Sequence, residues 1–187
     1  MICAWCSTDF AARADARFCS TRCRVAAHRV KLPEQMTSLP RWIRHERKVP
    51  LTVRGGAASS TNSHTWSDFA TASTSPVGDG LGFVLAADGI ACIDLDHCIV
   101  DGVLTDFARN VVRACHGTYI EVSPSGTGLH IFGLAEVGKG VRLPGFEVYD
   151  RGRYMTVTGR RWKRAPLVLR DISQVLTSWA PSHDLCA

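Results

Sequence analysis

The 187-residue chain has no apolar run near the roughly 20 residues needed to cross a bilayer, so no membrane span is expected. Its first 13 residues lack a basic start followed by an apolar stretch, which excludes a secretion signal and points to the cytoplasm. No repeat recurs along the chain, which excludes solenoids and arrays. No long low-complexity tract occurs, and charged residues make up only 21%, which excludes a disordered polyelectrolyte. Acids are scarce at the front: residues 1–60 hold 4 Asp/Glu against 11 Lys/Arg. Bases are scarce in the centre: residues 61–150 hold 4 Lys/Arg against 11 Asp/Glu. Residues 151–187 are basic again, with 7 against 2. This order excludes a uniform single-sign coat. It leaves open a site that handles cations beside a surface that holds an anion.

Four of the eight cysteines crowd into the first 23 residues as Cys3, Cys6, Cys19 and Cys23, spaced C-x2-C-x12-C-x3-C. In a reducing compartment this spacing favours metal over disulfides. Four thiolates can enclose Zn2+ tetrahedrally, and so short a segment would take its folding energy from the metal. Such a zinc is structural, with no open coordination position. The competing reading is a disordered basic arm with incidental cysteines; His28 could also replace a thiolate. Ser20 is placed to cap a basic helix over residues 21–30. Cys92 and Cys115 fall within apolar patterns and read as buried small hydrophobes. The domain division expected is a zinc module at 1–31 and a second domain at 32–187.

Residues 31–50 read as a Pro-bearing linker leading into a basic aromatic stretch, and 51–65 as a loop. A short helix is expected over 66–72, with Ser63 or Thr65 near its start. Residues 81–85 and 90–96 read as a hairpin around 86–89. Leu104, Phe107, Ala108, Val111, Val112 and Cys115 have helical spacing, stopped by Gly117. Residues 118–122 and 129–132 read as a second strand pair. Residues 146–149 and 154–158 read as a third, around 150–153. Asp171 caps a final amphipathic helix. Hairpins with a few helices predict an α+β fold.

Asp94 and Asp96 close an apolar strand, and alternation puts both on one face. Two adjacent carboxylates repel unless a cation lies between them, so they suit Mg2+ or Mn2+. The plain alternative is an exposed loop edge. The segment Ser123-Pro-Ser125-Gly126-Thr127-Gly128-Leu129-His130 combines small residues, hydroxyls and a histidine, a composition that suits phosphate. It would also serve as an ordinary hairpin turn. Glu147 is an acid within an alternating strand, and six arginines and lysines follow at 151–164. Carboxylates beside such cations suit a metal–triphosphate site.

The segments Cys-Ile-Asp-Leu-Asp-His-Cys, Glu-Val-Ser-Pro-Ser-Gly-Thr-Gly-Leu-His and Glu-Val-Tyr-Asp-Arg-Gly-Arg-Tyr-Met-Thr-Val-Thr-Gly resemble the three motifs of the archaeo-eukaryotic primase superfamily. They are most similar to the bifunctional primase–polymerase domain of phages, plasmids and mobile elements. The resemblance spans about residues 37–179. It implies a catalytic core with an RRM-like sheet and an accessory α/β part. It also implies two Mg2+ or Mn2+ ions on Asp94, Asp96 and Glu147, where many relatives carry Asp at the third position. Ser125, Thr127 and His130 would contact the nucleotide. Arg153 and Thr158 are implied as phosphate or sugar contacts, and Lys48 resembles a basic residue near the start of such domains.

The chemistry implied is nucleotidyl transfer from an NTP or dNTP on a single-stranded DNA template. The zinc module would hold nucleic acid or serve a structural or protein-binding role. Two other readings compete: a catalytically weak single-strand-binding module of the same fold, and a two-metal nuclease. A nuclease would not require the nucleotide-cradling segment. No Walker A segment and no helical primase C-terminal region follows, so a separate helicase or primase C-terminal partner is expected.

Overall fold

The computed structural model describes residues 3, 8–11, 13, 16, 18–28 and 30–179. Helix α1 (Thr21–His28) starts where Ser20 Oγ accepts the Cys23 backbone N–H at 3.2 Å. Helix α2 (Glu34–Thr37) follows Pro33 and buries Met36. The segment read as a linker and loop then supplies strands β1 (Trp42–Glu46) and β2 (Val49–Leu51). Burial of β1 does not alternate between apolar and polar residues, which hid it. Arg44 and His45 are buried because Arg44 Nε donates to the Val77 carbonyl at 2.6 Å and His45 Nδ1 lies 2.9 Å from Asp79. Helix α3 (Phe69–Thr74) is capped by Asp68, which accepts the Thr71 N–H at 2.8 Å; Ser63–Thr65 forms a separate 3-10 turn.

Strands β3 (Gly80–Ala86) and β4 (Ile90–Leu95) are followed by the small ribbon β5 (Ile99–Val100) and β6 (Val103–Leu104). Helix α4 (Asp106–Ala114) is capped by Thr105. Then come β7 (Tyr119–Val122), β8 (Leu129–Leu134), β9 (Val141–Leu143), β10 (Phe146–Tyr149), β11 (Arg151–Val157) and α5 (Ser173–Trp179). Two antiparallel sheets result, ordered β11-β3-β1-β2 and β7-β8-β4-β10-β9. The architecture is α+β, and β7–β8 is the hairpin expected. Among the described residues no helix is long and apolar enough to cross a membrane.

The other two expected hairpins do not form. β3 pairs with β1 and β11, whereas β4 pairs with β8 and β10. At 86–90, and again at Asp150, the chain passes from one sheet to the other. Burial explains this. Phe83, Val84 and Leu85, and likewise Ile90 to Ile93, are buried on both strand faces, which a two-stranded hairpin cannot achieve.

Alternation along β4 separates two cores. Ala91, Ile93 and Leu95 pack with Ile131, Phe146 and Val148 toward Ala108 and Val111 of α4 and Ile172 and Val175. Ile90 and Cys92 face the other way, toward Trp42, Phe83, Leu85 and Met155 of the four-stranded sheet. Cys92 and Cys115 are buried hydrophobes as expected, and burial pushes the Cys115 thiol up to about 12.

Candidate active site

Strand register assembles one row of polar side chains across the five-stranded sheet. Glu121 on β7 stands opposite His130 on β8, His130 opposite Asp94 on β4, Asp94 opposite Glu147 on β10, and Glu147 opposite Arg142 on β9. Cross-strand partners share a face, so all five project on the side of the sheet that carries Cys92 and Tyr149. The neighbouring row, Tyr119, Phe132, Cys92 and Tyr149, is buried and forms an apolar floor.

A cleft of about 470 Å³ opens over this row. Asp94, Asp96, His130 and Glu147 line one side, and Lys48, Arg153, Tyr154 and Thr156 the other. Ser123 and Ser125 close the rim, with their hydroxyls 3.0 Å apart. Arg153 follows a register shift in β11, and its guanidinium carbon lies 4.1 Å from the Tyr149 ring centroid. Lys48 sits in the two-residue β1–β2 turn, where Arg47 and Lys48 both have positive φ (48° and 67°). That conformation normally calls for Asn-Gly, so this turn holds two cations at a conformational cost. The Tyr154 hydroxyl donates to the Lys48 carbonyl and ties the turn to β11.

Electrostatically the row is uneven. Burial raises the Asp94 pKa, reinforced by Asp96 and Glu147 and opposed by His130 and Lys48. Asp94 Oδ1 is buried with no hydrogen-bond partner and lies 3.7 Å from His130 Nε2. Burial alone would depress the His130 pKa. The hydrogen bond and charge of Glu121, with Asp94 and the Thr156 backbone, outweigh it and raise the value. Burial would likewise raise Glu147, but Tyr149 Oη at 2.8 Å and Arg142 Nε at 3.0 Å hold its pKa low.

The donor set suits a hard divalent cation: three carboxylates on one cleft wall, one oxygen of which is buried without a partner. The acids are not already drawn together. Among the described residues only Cys3, Cys19 and Cys23 form a group with every ligand atom within 4.8 Å of the others. Glu147 in particular is engaged by Arg142 and Tyr149.

Of the residues singled out in the sequence, the cleft gathers Lys48, Asp94, Asp96, Ser125, His130, Glu147 and Arg153. Thr127 and Thr158 are not among its lining residues. Thr127 is exposed, with its hydroxyl 3.1 Å from Ser125 Oγ. Thr158 donates its N–H to Glu121 Oε1 at 3.0 Å and its hydroxyl to the Val122 carbonyl at 2.7 Å. Sequence reading quoted Glu121 within the second motif but assigned it no role. Hairpin register alone pairs it with His130, since 122 and 129 flank the turn.

At the N-terminal end, Cys19 Sγ and Cys23 Sγ are 3.5 Å apart, and the Cys19 N–H lies 3.3 Å from Cys3 Sγ. Thiolates around one zinc at 2.3 Å would stand about 3.8 Å apart, so the trio is close to a zinc-binding geometry. Cys6, the fourth ligand expected, lies outside the described residues.

No protein-family model matches the chain. The chain is 36% identical over 126 residues to a DNA primase-polymerase of Nitratiruptor phage NrS-1. That alignment covers 60% of this chain, which spans 17% of the relative's length.

Proposed function

We propose that this chain is a metal-dependent nucleotidyl transferase, a primase–polymerase module that adds NTPs or dNTPs on a single-stranded DNA template. One observation carries the reading: Asp94, Asp96, Glu147 and His130 line a single cleft opposite Lys48 and Arg153. The similarity to a phage DNA primase-polymerase supports it. On this reading the five-stranded sheet is the catalytic core, and the setting is replication of a phage or mobile element.

Asp94, Asp96 and Glu147 would hold two Mg2+ or Mn2+ ions. When bound, these would supply Lewis acidity that lowers the pKa of a 3′-hydroxyl and neutralises the leaving pyrophosphate. The chain's own groups do the positioning. Lys48 and Arg153, facing the acids, bind triphosphate oxygens, and Ser125 offers a hydroxyl at the rim. His130, lining the cleft beside Asp94, adds positive charge where the transition state gathers negative charge. Residues 1–31 form a zinc module on Cys3, Cys6, Cys19 and Cys23, and its arginines contact template phosphates. Initiation and unwinding call for a helicase or primase C-terminal partner.

The test is purified protein with primed and unprimed single-stranded DNA, Mn2+ and labelled NTPs or dNTPs. Nucleotide addition is expected, and Asp94→Ala with Asp96→Ala abolishes it. Tight single-strand binding with no product under any condition would instead support a binding module of the same fold.

A further inference from the structure

The residue that sequence reading left without a role is a tightly constrained acid. Glu121 is fully buried, and four groups converge on its carboxylate. Oε1 accepts the Thr158 N–H at 3.0 Å and lies 3.3 Å from His130 Nδ1. Oε2 accepts the Gly159 N–H at 2.9 Å and the Tyr119 hydroxyl at 2.8 Å. Each oxygen therefore faces a backbone N–H, which can only donate. A glutamine amide nitrogen would turn a donor toward one of them. Both oxygens serve as acceptors here, and against such an acceptor His130 Nδ1 carries a hydrogen. That leaves Nε2 as the ring atom on the Asp94 side.

The same carboxylate joins the two walls of the cleft. Glu121 belongs to β7 of the five-stranded sheet, while Thr158 and Gly159 continue β11 of the four-stranded one. Beyond them the chain runs along the outer edge of β7: Val122 N–H donates to the Arg160 carbonyl at 2.8 Å, and Trp162 N–H to the Ile120 carbonyl at 2.9 Å. Gly159 has a φ of 67°, and a Cβ there would meet Val30 at 2.4 Å, so this crossing is tightly packed.

We infer that Glu121 is the positioning residue of the cleft: its carboxylate fixes the His130 ring with Nε2 toward Asp94. It touches no substrate and acts through His130. The consequence for nucleotide binding rests on the transferase reading; the orientation of His130 does not.

Two measurements decide it. In protein labelled with 15N at histidine, the His130 ring of the unaltered chain shows a proton on Nδ1. A ring protonated on Nε2 alone overturns the inference without any variant. In steady-state assays Glu121→Gln raises the nucleotide KM roughly tenfold and leaves the template KM within about twofold. In a His130→Ala background the same substitution adds less than about twofold, because the group it acts through is gone. Independent, multiplying effects of the two substitutions would show a merely structural role and overturn the inference. A wild-type chain that adds no nucleotide but shows the Nδ1 proton overturns the transferase reading and supports the placement of His130.

Discussion

Asp94 and Glu147 face each other directly across antiparallel β4 and β10, yet only one of them is satisfied. Glu147 holds Arg142 and Tyr149, while Asp94 keeps a buried oxygen with no hydrogen-bond partner. Burying a carboxylate oxygen without a hydrogen bond is costly, and a cation is the natural relief.

Replacing Asp94 with Asn therefore separates stability from function. Without added metal the variant melts about 2–4 °C higher than the wild type, because a neutral amide costs less to bury. Mn2+ raises the wild-type Tm and leaves that of the variant unchanged. Thermal melts with and without Mn2+ check both; a lower Tm for the variant would show that the pairing with His130 outweighs the cost of burial.

Arg142 competes with any cation for Glu147. Its side chain is 68% exposed, so the pair is worth little and is readily exchanged. Arg142→Ala lowers the Mn2+ concentration for half-maximal binding by roughly two- to fivefold. Isothermal titration with Mn2+ reads this directly, and weaker binding would assign Arg142 a supporting role.

The β1–β2 turn trades stability for charge. Replacing Arg47 and Lys48 together with Asn and Gly relieves two left-handed residues and stabilises the fold by about 1 kcal/mol. The same change raises the nucleotide KM by removing Lys48 from the cleft. Urea unfolding and steady-state kinetics should move in opposite directions.

Asp150 holds the second crossing between sheets. It is buried, and Oδ2 accepts the Val137 and Gly138 N–H groups at 2.8 and 3.3 Å. Burial would raise its pKa, but Arg151 and these N–H groups outweigh it and hold the value below the ordinary 3.8. Its contribution is present above 3.8 and is lost as pH falls through the lowered folded-state value. Asp150→Asn costs about 1–3 kcal/mol at pH 7, and the gap to wild type closes on acidification below that value. A gap independent of pH would mean that the charge is not what matters.

Zinc should accompany the first module. Metal analysis of the purified chain gives about one zinc per chain, and Cys3→Ser or Cys19→Ser each releases it. Chelation melts α1 while leaving the two sheets folded, as read by backbone NMR. Full zinc retention in both variants would remove the site.

What was legible locally follows from short-range physics. β4 was readable because its apolar run ends in Asp94 and Asp96. The β7–β8 turn was readable from Ser, Pro and Gly, and α4 from its apolar spacing and the Gly117 stop. β1 was not, because Arg44 and His45 are buried against partners some 33 residues away, Val77 and Asp79. The hairpins misread around 86–89 and 150–153 have suitable turns, but turn chemistry does not say whether the next strand pairs with its neighbour or crosses to another sheet.

The sequence by itself determined the site's chemistry: which carboxylates, histidine and cations are present, and the cysteine spacing at the start of the chain. Tertiary structure alone decided how they are used. Strand register aligned Glu121, His130, Asp94 and Glu147 in one row, because pairing across β7, β8, β4 and β10 is set by burial of both sheet faces. It drew Thr158 away from the cleft to serve Glu121, and it left one Asp94 oxygen buried without a hydrogen-bond partner. Each of these depends on contacts between distant segments, which local residue preferences do not encode.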